Sequence, residues 1–517
     1  MSSPFRIATG HQLTTQAAAE ILGQGGTAVD AALAAVLSAC VAEPMLASLG
    51  GGGHALIEAD NNPPVCLDFF AQTPRQKHPG PLDFYPIEGN FGTATQEFHV
   101  GMASIATPGV VAGLDALHQR YGTVPKKRLI EPAQRAARAG VALNALQHHT
   151  LQILEPIVRA TPEASQWAGI NPPEAPLPEV GSVLAQPQLA EFLDQWAQEG
   201  GRCFYQGPLA EQLVADSQHR GGHLSAQDLA EYQVQWRTPL QWSYRQATIW
   251  SNPPPAFGGM MLALSTLGLA RHLPADARLG SVAHLEALVK TMAQVNDDRR
   301  TLETAELSHD ERALQHRFEA LLTQHAQSRR GTTHISIDDG HGMAVSMTIS
   351  NGEGSGYVLE PAGIMLNNML GEEDINRNGF HHWPENVRLS SMMTPTIIHD
   401  QAANERHLLG SGGSNRIRTA LLQVVSHLFD FGLDLESAIA APRAHLEGDH
   451  LSVELADQWS PEARQWLSAA PFTTTLWPRR SLFFGGVHAT GPTQACADAR
   501  REGASIAGQT HKTAPPL

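Results

Sequence analysis

Hydrophobic positions in the first part of the chain mostly follow a helical spacing, and many of them are alanine. Apolar residues that recur three and four positions apart indicate helices with one buried face, and glycine and proline mark their ends. The predicted helices are Thr15–Leu22, Thr27 or Asp30 to about Ala42, Val110–Tyr121, Glu131–Ala139, several segments within 186–232, a helix from Gly259 to about Leu269, and Val282 to about Arg300. Residues 155–185 are rich in Pro, Glu and Ala and predict a crossing over the surface.

After residue 332 the pattern changes to an alternation of apolar and polar residues, which is typical of strands. Thr333–Asp338 and Met343–Ser350 are two such runs, and the glycine-containing turn between them predicts a hairpin. Further predicted elements are short strands at Ile7–Thr9, His54–Glu58, Val65–Phe70, Gly363–Leu366, Thr396–His399 and His407–Leu409, and a helix at Arg416–Phe431. We therefore expect a fold of the α/β class.

Two glycine-rich loops interrupt this pattern. Gly50–Gly53 precedes a strand, but its flanks do not match the glycine-rich motifs that bind phosphate. We interpret this run as a place where one backbone closely approaches another. Gly410–Asn415 opens directly onto the helix predicted at Arg416, and backbone N–H groups converge at the start of a helix. This second loop is a candidate oxyanion hole.

Composition and charge narrow the classes of function. The 517 residues, enough for about three average domains or one large fold, carry a formal net charge of −16. Nucleic acids and anionic membranes bind clustered cations, so neither is an expected partner. The longest uncharged apolar run, Ala31–Ala42, is too short to span a bilayer. The N-terminus shows no secretory pattern and the four cysteines are far apart, which favours a cytoplasmic protein with free thiols.

Thr332 is the candidate nucleophile. It follows a glycine at the start of a predicted strand, and the polar segment 301–331 before it is a plausible exposed processing site. Cleavage of the Gly331–Thr332 bond would free an α-amine next to the threonine hydroxyl, and that amine can act as the base for the hydroxyl. The alternative is an ordinary strand residue, because threonine is common in strands.

Taken in order, the motifs of the chain resemble those of the γ-glutamyltransferase (γ-glutamyltranspeptidase, glutathione hydrolase) family of N-terminal-nucleophile hydrolases. In the first half the matching segments are Gly25–Ala32, Glu43-Pro44 before Gly50–Gly53, Pro108–Gly113, Phe204–Gly207, Pro253–Pro255 and Gly258-Gly259. In the second half they are Thr332-Thr333-His334, Gly363–Asn368, Leu389–Met392 and Gly410–Ser414. The resemblance extends over almost the whole chain.

The resemblance implies a four-layer αββα sandwich that is made as one precursor and cuts itself before Thr332. Residues 1–331 would form the large subunit and residues 332–517 the small subunit, intertwined in one fold, with a dimer of these pairs as a further possibility. It also implies acyl transfer in two steps, from an amide to the Thr332 hydroxyl and then to water or an amine. A metal or organic cofactor is not expected.

The resemblance also assigns roles to further residues. Ser350 and Asn351 would tune the nucleophile, and Gly412 and Gly413 would form the oxyanion loop, with Ser414 as a shifted alternative. The substrate carboxylate would contact Ser390 and Ser391. The substrate α-amine would bind Glu372, with Glu373 and Asp374 as near alternatives.

One departure from the family pattern affects the expected substrate. Where the family carries an arginine that binds the glutamate α-carboxylate, this chain has Phe70. An apolar ring cannot pair with a carboxylate, so Arg75 or Arg388 would have to supply the charge from another direction. The segment between Asn368 and Ser390, often a lid in the family, is short at 21 residues (369–389).

Three hypotheses about function therefore remain. The first is a γ-glutamyl hydrolase or transferase, and the second is an acylase of the same scaffold that cleaves amides without the glutamate carboxylate, like the related cephalosporin acylases. The third is an uncleaved, non-catalytic relative. His334, two positions after Thr332, is expected to be structural, and His381-His382 lacks the spacing of metal ligands.

Overall fold

A computed structural model describes residues 4–59, 62–90, 95–306, 332–376, 379–413 and 416–509. The strands within these ranges are β1 (Pro4–Thr9), β2 (Gly52–Glu58), β3 (Val65–Phe69), β4 (Tyr85–Asn90), β5 (Thr95–Val100), β6 (Val141–Ala142), β7 (Val183–Leu184), β8 (Gln235–Arg237), β9 (Leu240–Tyr244), β10 (Ala247–Ser251), β11 (Thr333–Asp338), β12 (Ala344–Ser350), β13 (Val358–Leu359), β14 (Ile364–Met365), β15 (Thr396–Asp400), β16 (Glu405–Gly412), β17 (Ala444–Glu447), β18 (His450–Glu454), β19 (Thr473–Trp477), β20 (Gly486–Thr490), β21 (Ala495–Ala497) and β22 (Ala504–Gln509).

The α-helices within the same ranges are α1 (Gln12–Gly23), α2 (Ala28–Ala42), α3 (Val110–Tyr121), α4 (Lys126–Leu129), α5 (Glu131–Ala139), α6 (Ala145–Ile153), α7 (Glu155–Val158), α8 (Pro162–Trp167), α9 (Pro187–Glu199), α10 (Arg202–Tyr205), α11 (Pro208–His219), α12 (Ala226–Ala230), α13 (Gly258–His272), α14 (Val282–Glu306), α15 (Arg416–Phe429), α16 (Leu435–Ala440) and α17 (Pro461–Ala469). Short 3-10 helices lie at Met102–Ser104, Glu360–Ala362, Met369–Gly371, Glu373–Ile375, Ala456–Gln458, Leu482–Phe484 and Ala499–Arg501.

The larger sheet has seven antiparallel strands in the order β22-β1-β11-β12-β2-β3-β8. Strand β11, which begins directly after Thr332, pairs with β1 on one side and β12 on the other. Side chains alternate across this strand because successive residues of a strand point to opposite faces. Ile335 and Ile337 enter the core beneath α1 and α2, whereas His334 and Ser336 point to the other face.

The second sheet has six antiparallel strands in the order β21-β20-β16-β15-β10-β9. It stacks on the first sheet, and hydroxyl groups join the two. The Ser336 hydroxyl donates to the His488 carbonyl over 3.2 Å, and the Ser346 hydroxyl donates to the Leu409 carbonyl over 3.1 Å. Hydrogen bonds of this kind satisfy polar groups that would otherwise be buried without a partner between the sheets.

Helices cover the outer faces of both sheets. Helices α1, α2, α3, α5 and α9 share one apolar core with β11 and β12. On the other side, α13 and α15 pack against each other and against the second sheet, and α14 packs against α13. The Thr27–Asp30 capping box starts α2, and the alanines of this helix lie fully buried against the first sheet. The fold is thus of the expected α/β class, with antiparallel sheets.

Local elements agree closely with the sequence, with one correction. The α3, α5 and β11 bounds are those predicted, and the other predicted elements differ by a few residues at their ends. Strands β4, β5, β9 and β10 and helix α6 were not predicted. The prediction of a surface crossing at residues 155–185 is wrong in its first part. Short helices α7 and α8 form there, and Ile157 and Val158 are buried in a small apolar core, because these apolar residues have one face to bury.

The glycine run is used for close approach of backbones, as expected. A Cβ on Gly51 would overlap the Ser350 carbonyl, and one on Gly52 would overlap the backbone of Phe70 and Ala71. These glycines therefore bring the ends of β2, β3 and β12 together. In the part of the chain that the structure describes, no helix is long and apolar enough to cross a membrane.

Candidate active site

Thr332 lines a small cleft. Only 3% of the residue is exposed, and its carbonyl accepts a hydrogen bond from Nη1 of Arg501 over 3.0 Å. The cleft is lined by Phe70, Thr332, Ser350, Met369, Glu372, Ile375, Ser391, Met392, Met393 and Ile417. Four of the sequence-predicted site residues besides Thr332 therefore line one cavity: Phe70, Ser350, Glu372 and Ser391.

Gly412 and Gly413 lie directly beside Thr332. A Cβ on Gly412 would overlap the Thr332 carbonyl, and Gly413 has a φ of +110°, a conformation that favours glycine. Gly413 also accepts, through its carbonyl, a hydrogen bond from the Arg416 N–H of 3.1 Å as α15 begins. The predicted oxyanion loop is thus next to Thr332. Ser414, the shifted alternative, lies outside the described residues, as does Gly331 on the other side of the predicted cleavage site.

Ser350 and Asn351 are adjacent in sequence but serve different contacts. Ser350 lines the cleft at the end of β12, and its hydroxyl accepts from the Gly352 N–H over 3.0 Å. The Asn351 side chain donates instead to the carbonyls of Met365 and Leu366, both over 3.4 Å. Asn351 therefore supports the neighbouring backbone, while Ser350 lines the same cleft as Thr332.

Of the neighbouring residues Ser390 and Ser391, again only one lines the cleft. Ser391 lines the cleft, its hydroxyl accepts from the Met393 N–H over 3.0 Å, and its carbonyl accepts from Phe257 and Gly258 at the start of α13. Ser390 is buried next to it but does not line the cleft. The helix start holds the Ser391 backbone in place, because its first N–H groups have no partner within the helix.

Within the acidic run, the structure places Glu372 in the cleft. Glu372 is 4% exposed, and its carboxylate lies close to Gly352 and to the Asn368 side chain. Glu373 is exposed and does not line the cleft. The Asp374 side chain lies outside the described residues. Glu372 is also the one charged residue among the described residues of the cleft wall.

Phe70 follows β3 and presents its ring to the cleft. Its N–H donates to Asp68 over 3.0 Å, and its carbonyl accepts from the Tyr232 hydroxyl over 2.7 Å and from Arg388. The ring stacks on His54 with centroids 5.7 Å apart. The backbone of Phe70 is therefore fixed by groups that do not depend on its side chain.

Neither arginine that was considered as a substitute for the family's carboxylate ligand lines the cleft. The guanidinium of Arg388 lies behind Phe70, 3.5 Å from the Asp68 carboxylate, and it also bonds Tyr232 and the Gln233 carbonyl. Burial raises the pKa of Asp68, but Arg388, His54 and Arg237 outweigh it and hold that pKa below its usual value. Arg75 pairs with Glu231 over 2.7 Å.

Comparison with known proteins decides the family. The family described as Gamma-glutamyltranspeptidase matches residues 14–508 of the chain. The chain belongs to this family. It is accordingly an enzyme of the N-terminal-nucleophile hydrolase and transferase type.

The relatives that are similar to this chain include proteins named as glutathione hydrolases and proteins named as acylases. The "Glutathione hydrolase proenzyme" of Escherichia coli is 29% identical over 511 residues, covering 90% of this chain and 84% of the relative. The "Acylase ACY 1 proenzyme" of a Pseudomonas species is 28% identical over 483 residues, covering 87% and 84%. The crystal structure of cephalosporin acylase from Bacillus halodurans has the same fold, with a TM-score of 0.79, 22% identity and coverage of 98% and 96%.

Sequence reasoning missed a buried cluster next to Thr332, the candidate nucleophile: Glu43 with the hydroxyls of Thr333 and Thr14. The Thr333 hydroxyl donates to Oε2 of Glu43 over 2.8 Å, and the Thr14 hydroxyl donates to Oε1 over 3.2 Å. Glu43-Pro44 was used only as a family motif and as the end of α2. The signal available in the sequence was an acidic residue at the end of an apolar, alanine-rich helix, since an acidic residue that such a helix buries rarely lacks a partner.

His334 is held between hydroxyl groups, as expected of a structural residue. Its Nδ1 lies 2.8 Å from the Thr348 hydroxyl, and its Nε2 lies 2.9 Å from the Ser336 hydroxyl. Burial lowers the pKa of His334 well below its usual value, with His488 adding to the effect. The part of the chain that the structure describes contains no group of three or more His, Cys, Asp or Glu residues arranged to hold a metal ion.

Proposed function

We propose that this enzyme is an amidohydrolase that forms an acyl-enzyme on Thr332 and passes the acyl group to water or to an amine. The observation that carries the proposal is the position of Thr332, directly before a central strand and in the wall of the cleft. Family membership and the glycine loop beside Thr332 support it further.

The proposed reaction begins with cleavage of the Gly331–Thr332 bond, which frees the α-amine of Thr332. That amine takes the hydroxyl proton as Oγ1 attacks the amide carbon of the substrate. The carbonyl oxygen becomes an oxyanion, stabilised by backbone N–H groups of the Gly412-Gly413 loop. The tetrahedral intermediate then expels the amine product, which leaves with the proton, and an ester on Thr332 remains. Water or a second amine attacks this ester and restores the hydroxyl.

We propose two further features of the processed enzyme. Residues 1–331 and 332–517 remain associated after cleavage as one pair, and we expect size exclusion to recover them as a single particle. The stacked sheets with helices on both outer faces form the four-layer αββα sandwich that the family resemblance implies.

The described cleft wall favours acyl groups that end without a carboxylate. Phe70, Met369, Ile375, Met392 and Met393 are apolar, and Glu372 adds a negative charge. Compared with a pocket that has an arginine in place of Phe70, a substrate carboxylate placed there lacks a charge-assisted hydrogen bond. Such a bond is worth about 1.5–3 kcal/mol, which is roughly a 10- to 150-fold change in affinity. We therefore place the enzyme on the acylase side of the family, with donors whose acyl end is uncharged or carries an amine.

The second candidate is γ-glutamyl hydrolysis or transfer. It is favoured by Glu372 and Ser391, which line the cleft where the resemblance places ligands of the glutamate amine and carboxylate. It also agrees with the names of relatives such as the one from Escherichia coli.

Four chromogenic anilides distinguish these candidates. The γ-glutamyl, glutaryl, 4-aminobutyryl and butyryl compounds differ only in the charges at the far end of the acyl chain. We expect a higher kcat/KM for the 4-aminobutyryl and butyryl anilides than for the glutaryl one, because the glutaryl carboxylate would face Phe70 and Glu372. Preference for the γ-glutamyl anilide over both would overturn the acylase assignment and support the second candidate.

Denaturing electrophoresis with N-terminal sequencing tests the chemistry itself. The wild-type chain should give two fragments, the smaller beginning at Thr332. A single intact chain without amidase activity would support the non-catalytic relative instead.

A further inference from the structure

Glu43 forms a buried link between the first helix pair and the start of β11. It follows the last residue of α2, is 4% exposed, and accepts hydrogen bonds from Thr333 on β11 and Thr14 on α1. Its far side borders an apolar pocket lined by Met45, Leu146 and other residues. The carboxylate is therefore solvated almost entirely by these two hydroxyls, and burial raises its pKa to about 7.

Arg501 completes the contacts behind the nucleophile. Its guanidinium is buried, donates to the Thr332 carbonyl over 3.0 Å, and interacts electrostatically with Glu43 and Asp498. Burial lowers the pKa of Arg501 to about 10, and the two carboxylates oppose that shift. The cation thus holds the Thr332 peptide from one side, while Glu43 holds the next residue from the other.

Two glycines leave this cluster no room to shift. A Cβ on Gly10 would overlap both the Glu43 carboxylate and the Thr333 hydroxyl. A Cβ on Gly412 would overlap the Thr332 carbonyl and the Arg501 guanidinium. Side chains confined in this way hold a single geometry, which is what a preorganised nucleophile requires.

We propose that Glu43 is a positioning residue for the nucleophile: through Thr333 and Arg501, its carboxylate fixes Thr332 and Thr333, at the start of β11, so that the Thr332 hydroxyl faces the cleft. The proposal rests on the proposed role of Thr332. Glu43 does not touch the substrate, and its effect passes through the backbone of residues 332 and 333.

A buried, ionised Glu43 lowers the stability of the fold, so the proposal predicts a characteristic dependence of stability on pH. The folded-state pKa of Glu43 is raised above its usual value, so the folded state binds the proton more tightly than the unfolded chain does. This proton contributes stability that is fully present below pH 4.5 and is lost as the pH rises through about 7. Above pH 7 the enzyme keeps a costly buried carboxylate. The other ionisable groups facing it are His11, Cys40 and Arg501, with Asp498 behind the arginine.

The test compares Glu43→Gln, Thr333→Val and Thr333→Ser in the full chain, with whichever anilide of the panel the wild type cleaves fastest. Gln keeps the shape but removes the charge, Val removes the hydroxyl, and Ser restores it. We expect kcat to fall about tenfold in E43Q and in T333V with KM changed less than twofold, and T333S to retain near wild-type kcat. The E43Q/T333V double variant should lose little more than either single variant, because both break one link.

A stability measurement separates positioning from simple structural support. The Tm of E43Q minus that of the wild type should become more positive between pH 5 and pH 8, while kcat remains lower. Thr14→Val, which breaks the other hydrogen bond to Glu43 without touching β11, should reduce kcat less than T333V does. A variant precursor that folds but stays uncleaved also supports the proposal, provided that T333S is cleaved.

Unchanged kcat in E43Q, or equal losses in T333S and T333V, would overturn the positioning role. A fall in kcat that only follows a lower Tm would do the same. If the wild type itself is neither cleaved nor active, the role of Thr332 fails, and that result differs from the failure of Glu43 alone.

Discussion

The two sides of the cleft are built in different ways. On the side of the proposed nucleophile, formed by Thr332, Ser350 and the Gly412-Gly413 loop and called the nucleophile side below, backbones touch one another and glycine is required. On the acyl side, formed by Phe70 and the methionines around it, side chains supply the surface. Phe70 is held through its own N–H and carbonyl, so its side chain can change while the backbone stays in place. We therefore expect that close backbone packing limits substitutions on the nucleophile side, whereas side chains on the acyl side can be replaced to change substrate specificity.

The largest effect is expected on the nucleophile side, for Thr332→Ala. This change removes the attacking hydroxyl, so kcat should fall by about 10³-fold or more and the precursor should stay uncut. Thr332→Ser keeps both the hydroxyl and the α-amine and serves as the control, with partial activity. Amidase assays and denaturing gels read both properties, and substantial turnover by T332A would contradict the comparison.

Gly413→Ala should have the next largest effect. Its φ of +110° and its close approach to Gly485 leave no space for a methyl group, so the oxyanion loop should shift and kcat should fall by about 10²-fold. Gly432→Ala is the matched control, because it also has a positive φ of 64° but has open space around it. G432A should lose about 1 kcal/mol of stability and no activity. Equal activity in the two variants would show that the loop does not constrain catalysis.

Phe70→Arg is expected to change specificity by a smaller factor. A guanidinium in the acyl side can pair with a substrate carboxylate, so kcat/KM should rise about tenfold for the γ-glutamyl and glutaryl anilides relative to the butyryl anilide. Phe70→Leu is the control and should leave that ratio unchanged. If F70R lowers kcat equally for every anilide, the two sides of the cleft are not independent.

Tyr232→Phe should have the smallest effect. It removes one of the two donors to the Phe70 carbonyl, and Arg388 remains to bond the same oxygen. We expect a loss of about 1 kcal/mol of unfolding free energy and less than a threefold change in kcat/KM. Thermal unfolding and the anilide assay measure the two quantities, and a large loss of activity would mean that the wall depends on a single contact.

Sequence patterns predicted the helices and strands around Thr332 well, but they predicted the contacts between distant parts of the chain less well. The β11 bounds follow from alternation within the strand, and the capping box marks where α2 begins, so both are local properties. Glu372 could not be separated from Glu373 in sequence, because burial depends on the path of the short 3-10 helix that follows. The contact between Glu43 and Thr333 joins residues 290 positions apart, and nothing local in either segment encodes it.

The family motif also hid a difference between neighbouring residues. Ser350 and Asn351 were assigned together, as were Ser390 and Ser391, yet in each pair one residue lines the cleft and the other does not. For Ser350, the last residue of β12, alternation along the strand accounts for the separation from Asn351, since adjacent side chains point in opposite directions. Its register is set by pairing with β2, a distant part of the chain. Ser390 and Ser391 lie outside the strands, and the contacts of the Ser391 backbone with the start of α13 depend equally on distant residues.

The position of β1 has a consequence for how the cut enzyme behaves as a molecule. This strand, which would belong to the large fragment, lies between β11 and β22, which would both belong to the small fragment, and it is paired with each of them. After cleavage the two polypeptides cannot separate without opening both ladders, so dissociation and unfolding become one event. Refolding, by contrast, then requires two chains to meet, and it depends on protein concentration, whereas the uncut precursor refolds as a single chain. Self-cleavage would thus make the fold easy to assemble once and hard to assemble again.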